Sequence, residues 1–153
     1  MFIHLRVHSA YSLLEGALHL KRIVKLAADD GQPAVAVTDT ANLFGALEFS
    51  EAAFAAGVQP IIGCAVPVTL PERTQNGRRI VPIARLPLIA ASETGFLNLQ
   101  RLVSDAYLAS ASETAPSVTL EHCGALAEGV IALTGWLDGP VGLTYQDGDG
   151  DAA

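Results

Sequence analysis

Short apolar runs alternate with stretches of helical periodicity along most of this chain, and this alternation limits its possible folds more than any other feature. Leu20, Ile23, Val24 and Ala27 follow the i, i+3, i+4, i+7 spacing, which predicts a helix over residues 17–28. Further helices are predicted up to Gly57, over 94–108 and over 119–127, and strands over 2–8, 34–37, 58–70, 80–92 and 130–134.

Strands that alternate with helices in this way predict βαβ units around a mainly parallel sheet, either open or curled into a barrel. The chain has 153 residues, half of them apolar, and is long enough for one domain with a buried core. The predicted fold class is therefore α/β. The helix that ends at Gly57 is expected to turn one face inward, formed by Leu43, Ala46, Leu47, Ser50 and Phe54.

Two segments have the composition of exposed chain. Residues 71–79 contain Pro71 and the pair Asn76 and Gly77, which favour a tight hairpin turn in water, so we expect an exposed hairpin tip there. Residues 146–153 are acidic and rich in glycine, which is typical of a flexible tail.

The charge balance argues against a nucleic-acid surface on this segment. Its formal net charge is −7, whereas a surface that follows phosphates should be basic. Cys64 and Cys123 lie far apart in apolar surroundings, which indicates buried thiols in a reducing compartment. No stretch resembles a secretory signal or a membrane span, so we expect a cytoplasmic protein with no membrane partner.

Polar residues gather where the first two predicted strands end. Side chains two apart on a strand share a face, so His4, Arg6 and His8 are expected to point the same way. An imidazole at position 8 beside the carboxylate of Asp39 would suit a divalent metal. A hydrogen-bonded structural histidine and an aspartate that braces a turn are the alternatives, and this pattern alone does not choose between them.

Three stretches of the sequence carry a family resemblance. The segments "HLRVHSAYSLLEGA", "AVAVTDTANLFGALEF" and "GVQPIIGCAVPV" resemble the polymerase and histidinol phosphatase (PHP) family, in the form found at the start of the catalytic subunits of bacterial replicative DNA polymerases. The resemblance implies a distorted (β/α)7 barrel, of which residues 1–153 would be the N-terminal portion.

The resemblance also implies a cluster of divalent metal ions, and this chain departs from the ligand pattern that would hold it. Family members with an active site resemble H-x-H, then D-G, then T-D-H, then G-C-E. At the corresponding positions this chain has Arg6, His8, Glu15, Asp39, Thr40 and Ala65. Only His8, Glu15 and Asp39 could still act as ligands if any ion binds, with manganese or zinc as the candidates.

Arg6 is the change with the largest electrostatic effect. A guanidinium cannot deprotonate to become a ligand, and it repels a cation by about 4 kcal/mol per unit charge at ~4 Å and an effective dielectric of ~20. We therefore expect Arg6 to act as the resident cation, paired with Asp39 or Glu15. A solvent-exposed Arg6 without such a pair is the simpler alternative.

The implied function is a non-catalytic scaffold within a replicative polymerase. The resemblance places the magnesium-dependent nucleotidyltransferase site in a later domain, so no catalytic residue and no cofactor are expected here. The resemblance implies two partners, the remainder of the polymerase subunit and a proofreading exonuclease. It also implies that DNA is bound through other domains. A metal-dependent phosphoesterase or 3′–5′ exonuclease that uses a residual metal site is the alternative, and a free-standing binding domain is a third.

Overall fold

The computed structural model describes residues 2–75, 78–109 and 115–146. The elements follow one another along the chain as α1 (Leu20–Asp29), β1 (Ala34–Thr40), α2 (Ala46–Ala55), β2 (Gln59–Thr69), β3 (Arg73–Gln75), β4 (Arg78–Ile80), β5 (Ile83–Ala90), α3 (Glu93–Ala109), β6 (Val118–Thr119), α4 (Leu120–Ala125), β7 (Val130–Ala132), a 3-10 helix (Trp136–Asp138) and α5 (Pro140–Gln146). This order confirms the α/β class. The chain forms two compact units, residues 1–65 and 66–153.

The first unit is built on a parallel strand pair. β1 pairs with the first part of β2 in a register that sets Asp39 beside Cys64 and Thr40 beside Ala65. Strand β1 is buried along most of its length, as expected for a parallel strand covered on both faces. The helices α1 and α2 contribute most of the apolar cluster beside it: Leu20, Ile23, Val24, Ala27, Val35, Val37, Phe49, Ala53 and Val58.

Helix α1 confirms its predicted inward face, because Leu20, Ile23, Val24 and Ala27 are the buried residues. The predicted face of α2 is wrong. Leu47 and Phe54 are 72% and 68% exposed, and the buried residues of α2 are Phe49 and Ala53. The helix ends at Ala55, two residues before the predicted stop at Gly57, which has a left-handed φ of +71°.

The predicted first strand is not formed. Residues 2–8 have irregular backbone, although the N–H of Ala36 donates to the carbonyl of His4 and that of Thr38 to Val7. The two donors are two positions apart on β1, whereas their acceptors are three positions apart on the N-terminal segment, as at a bulge. This extra residue interrupts the alternation on which the shared face of His4, Arg6 and His8 depended.

The second unit mixes parallel and antiparallel strands, so the sheet is less uniformly parallel than the sequence indicated. β6 pairs parallel with β2, whereas β7 pairs antiparallel with β5. Helix α3 packs with β5, β6 and β7 and buries Gly95, Leu99, Leu102 and Ala106. β3 and β4 pair antiparallel with Gln75 opposite Arg78. The predicted turn residues 76–77 and residues 147–153 of the predicted tail lie outside the described residues.

Candidate functional site

Asp39, near the end of β1, lies at the centre of a hydrogen-bond network in the first unit. The residue is 2% exposed, and its carboxylate accepts from the Ser9 backbone N–H at 2.7 Å, the Ser9 hydroxyl at 2.6 Å and the Ser12 hydroxyl at 2.6 Å. Three short bonds to an ionised acceptor are strong because the charge assists each of them. Asp39 therefore holds the turn that follows His8 against the end of β1.

Ser12 connects Asp39 to His8. Its hydroxyl donates to Asp39 and accepts from the N–H of Thr40 at 3.0 Å, while Nδ1 of His8 lies 3.3 Å from the same oxygen. Because the single hydroxyl hydrogen is used on Asp39, Nδ1 of His8 must be the donor to Ser12. Ser12 is thus not activated as a nucleophile by His8.

Glu15 lies at the exposed side of the same network. Its Oε2 accepts from the Thr40 hydroxyl at 2.7 Å and lies 3.9 Å from Nδ1 of His8. The Thr40 hydroxyl is therefore occupied as a donor to a carboxylate. The structure brings His8, Glu15, Asp39 and Thr40 into one network, and Ser12 is the residue through which most of them connect.

Arg6 and Ala65 complete the six predicted positions. Arg6 is half-buried in the irregular segment before His8. Ala65 is fully buried beside Thr40 in the β1–β2 register, and its carbonyl accepts from the N–H of Ala41 at 3.0 Å. The side chain of Ala65 offers no donor atom at the place where the family pattern has a carboxylate.

Cys64 is fully buried next to this network and has an inert thiol. Burial raises the pKa of Cys64 to about 12, although hydrogen bonds from the backbone of Asn42 and Ala41 oppose the shift. A thiol with so high a pKa is not a thiolate ligand or nucleophile at neutral pH. This agrees with the prediction of a small buried cysteine.

Judged by their ligating atoms, the side chains at these positions do not fit the metal cluster that the resemblance implies. Asp39 already accepts three hydrogen bonds, Thr40 donates to Glu15, and Ala65 has no ligating atom. Within residues 2–75, 78–109 and 115–146, no group of three or more His, Cys, Asp or Glu side chains is placed to hold a metal ion. The arrangement can fix a loop, and it offers no activated nucleophile.

Sequence reasoning missed Ser9 and Ser12, the two residues that saturate Asp39. Hydroxyl residues three apart directly after a predicted strand are a known turn signal, since serine often bonds to nearby backbone. That signal predicts a turn, but not that the hydroxyls would meet a carboxylate 30 residues from Ser9 and 27 from Ser12.

The fold and the network define a class: an α/β domain whose polar residues meet at the end of a parallel strand. Residues 4–153 match the PHP domain family. The chain belongs to that family, as the sequence resemblance indicated.

Comparison with individual proteins of the family gives more specific similarities. The chain is 49% identical to the DNA polymerase III subunit alpha of Caulobacter vibrioides over 96% of its own length and 13% of that protein. Identity to the subunits of Treponema pallidum and Escherichia coli is 42% and 36%, over 90% and 97% of this chain and 12% of each relative. The chain thus spans about an eighth of the length of these relatives.

One solved structure supports the fold. An amidohydrolase from Chromobacterium violaceum, whose structure contains bound sulfate and no metal, aligns with a TM-score of 0.51 and 23% identity. The alignment covers 68% of this chain and 32% of the amidohydrolase chain. Separately, no helix within the described parts of the chain has the length and apolar character needed to cross a bilayer.

Proposed function

We propose that this chain is the PHP-domain segment of a bacterial DNA polymerase III alpha subunit and acts in DNA replication. The relatives that support this assignment match 90% or more of the chain. The parent protein would be a DNA-directed DNA polymerase, a nucleotidyltransferase whose magnesium-dependent site lies outside these residues.

Within that protein, the segment serves as a non-catalytic scaffold with a degenerate metal site. The observation that carries this proposal is the saturation of the buried Asp39 carboxylate by Ser9 and Ser12. Hydroxyl and amide donors stabilise this buried charge without a metal ion. Arg6 contributes the positive charge of the former site and pairs with Asp39 or Glu15.

The partners of the scaffold are the remainder of the polymerase subunit and the proofreading exonuclease subunit of the replicase. An acidic segment is suited to contacts with proteins, and DNA is bound through other domains. A rigid loop network at the end of β1 holds a constant surface for such contacts.

The metal content of the purified full-length subunit tests the scaffold proposal. After incubation with manganese or zinc and removal of free ions, elemental analysis should give the same content for the native protein and for a His8→Ala/Asp39→Ala variant. Hydrolysis of a generic phosphate ester and of a 3′ DNA end should likewise show no component that depends on these two residues.

The opposite result would establish the alternative function. If the native subunit binds an additional manganese or zinc ion, and turnover is lost in the double variant, the segment is a metal-dependent phosphoesterase or 3′–5′ exonuclease. His8, Glu15 and Asp39 would then be its ligands.

A further inference from the structure

The hairpin formed by β3 and β4 locally reverses the charge of the chain. Together with the residue before it, its described residues are 72–75 and 78–80, here called the arginine ribbon. The arginine ribbon contains Arg73, Arg78 and Arg79 and a single acidic residue, Glu72, whereas the whole chain has a formal net charge of −7. The net charge, which argues against a nucleic-acid surface on the segment as a whole, therefore does not describe the field around this hairpin.

The pairing of the two strands separates the charges of the arginine ribbon between two faces. On one face, Nε of Arg79 pairs with the carboxylate of Glu72 at 2.5 Å. Adjacent residues of a strand point to opposite faces, so Arg78 lies on the other one. Because Arg78 lies opposite Gln75, it shares that face with Arg73. The second face thus has two arginines and no acidic residue of the ribbon.

The arginine ribbon is accessible to a partner. β3 and β4 pair with each other, and within the part of the chain that the structure describes they join no strand of the five-stranded sheet. Arg78 and Arg79 are exposed, the side chain of Arg79 by 81%, and Arg73 is half-buried. A large binding partner can therefore reach the guanidinium groups without any rearrangement of the sheet.

The chemistry of the ribbon favours a phosphate backbone as that partner. A guanidinium group is planar, stays charged at all relevant pH values and donates to phosphate oxygens in pairs. Contacts between basic side chains and phosphates supply essentially all of the sequence-independent affinity of proteins for DNA. A two-stranded β-ribbon is also narrow enough to enter a groove of duplex DNA. The arginine ribbon thus has both the charge and the shape for a DNA contact.

An acidic protein surface suits the ribbon less well. A stable protein interface buries about 800 Å² on each partner, more than two strands of three residues offer. Such an interface would extend onto the neighbouring surface of this acidic chain, where like charges repel an acidic partner. The same holds for an acidic surface on the remainder of the polymerase subunit. A nucleic-acid strand is narrow and can contact the ribbon alone.

We propose that the arginine ribbon binds the phosphate backbone of duplex DNA and adds a contact on this segment to those made by other domains of the polymerase. Arg73 and Arg78 provide the face that meets the phosphates. Glu72 limits the contact, because it holds Arg79 in an ion pair. Phosphate contacts carry no sequence information, so the ribbon positions the duplex and does not select its sequence. This inference rests on the proposed function, which supplies DNA as the substrate.

The test measures the affinity of the full-length polymerase subunit for a primer–template duplex over a range of salt concentrations. Arg78→Gln should weaken binding and reduce the slope of log K against log salt by about 0.9, the value for one phosphate contact on duplex DNA. Glu72→Gln releases Arg79 from its ion pair, so it should have the opposite effect, tighter binding with a steeper slope. A ribbon with a purely structural role would not give this increase.

Arg101→Gln is the matched control. Arg101 on α3 is also an exposed arginine, and its Nε lies 3.3 Å from a carboxylate oxygen of Asp105. The substitution removes the same charge as Arg78→Gln, and the variant should bind the duplex with the native affinity and the native slope. Thermal unfolding of each variant without DNA checks its folding, and the melting temperatures should stay close to that of the native subunit.

The outcomes separate this inference from the proposed function. If the native subunit binds the duplex and Arg78→Gln and Glu72→Gln keep its slope, the ribbon is not a DNA contact and the proposed function stands. If these variants keep the slope but lower the melting temperature, the remainder of the subunit covers the ribbon, which also overturns the inference. An equal loss of affinity in Arg101→Gln would show an effect of net charge alone and would rule out a site at the ribbon. If the native subunit does not bind the duplex at all, the proposed role in DNA replication fails and this inference fails with it.

Discussion

The Ser12 hydroxyl lies 2.6 Å from the buried carboxylate of Asp39 and fixes the N-terminal turn to the end of β1. Ser12→Ala leaves a buried carboxylate short of one donor, and it also leaves the N–H of Thr40 without this acceptor. A bond to a charged group contributes about 1.5–3 kcal/mol, so we expect the free energy of unfolding to fall by about 2 kcal/mol. Urea unfolding measures the change.

Ser104→Ala is the matched control for that variant. The Ser104 hydroxyl donates to the Gln100 carbonyl at 2.8 Å on the exposed side of α3, where water can replace it. Its effect should stay within about 0.5 kcal/mol. Equal effects of the two substitutions would show that Asp39 does not depend on Ser12.

Gly16 is required by close packing against backbone. A Cβ atom at this position would clash with the Ser9 carbonyl oxygen, so Gly16→Ala forces this part of the turn to shift. We expect a loss of about 1–3 kcal/mol in the free energy of unfolding. Gly124→Ala lies on α4, where the added methyl meets nothing within 4 Å beyond its chain neighbours and its own helix backbone, so it should be neutral or stabilise the protein by up to about 1 kcal/mol.

The helices were the most predictable part of the fold, because their signal is local. The spacing of Leu20, Ile23, Val24 and Ala27 is enough to define the buried face of α1. In α2, apolar residues lie on nearly every side, so periodicity could not distinguish the buried Phe49 from the exposed Phe54.

The hydrogen-bond partners in the candidate site could not be predicted from the sequence. The family pattern located Asp39, His8 and Glu15, which the structure brings together. The bulge-like offset in residues 2–8 depends on bonds to β1, and the roles of Ser9 and Ser12 depend on contacts between residues 30 and 27 positions apart. Neither is encoded in a local pattern.

Thr38, the residue before Asp39, has a fully buried hydroxyl that finds no hydrogen-bond partner among the described residues. Thr38→Val keeps the branched shape and removes the unsatisfied oxygen, so we expect the free energy of unfolding to rise by about 1 kcal/mol. Thr40→Val is the comparison variant. Because the Thr40 hydroxyl donates to Glu15, its removal should not raise the free energy of unfolding. A lower stability for Thr38→Val would indicate a buried water molecule at this oxygen.

The two cysteines should resist modification in the native protein. Burial raises the pKa of Cys64 to about 12 and that of Cys123 to about 11, so few thiolates exist at pH 8. Both should react with a thiol reagent only after unfolding in denaturant. Rapid labelling of native Cys64 would contradict its placement in β2.

The hydrogen-bonded pair Asp105 and His122 should make the stability of the protein depend on pH in the acid range. Nε2 of His122 lies 2.9 Å from Oδ2 of Asp105, and Nε of Arg101 donates to the same oxygen at 3.3 Å. The hydrogen bond from His122 first, and the charge of Arg101 after it, lower the pKa of Asp105 below its ordinary value of 3.8. Because the pKa of Asp105 is lower in the folded state than in the unfolded state, ionised Asp105 stabilises the fold above the unfolded-state pKa. This stabilisation is lost as the pH falls through the folded-state pKa.

We therefore expect the native protein to be more stable than Asp105→Asn at pH 5 to 6, by an amount that shrinks as the pH falls below about 3.8. Denaturant unfolding at a series of pH values measures this difference. His122→Gln removes the main cause of the lowered pKa, so in that background Asp105→Asn should have a smaller effect at pH 5 to 6. An undiminished effect would assign the stabilisation of the Asp105 carboxylate to Arg101 instead of His122.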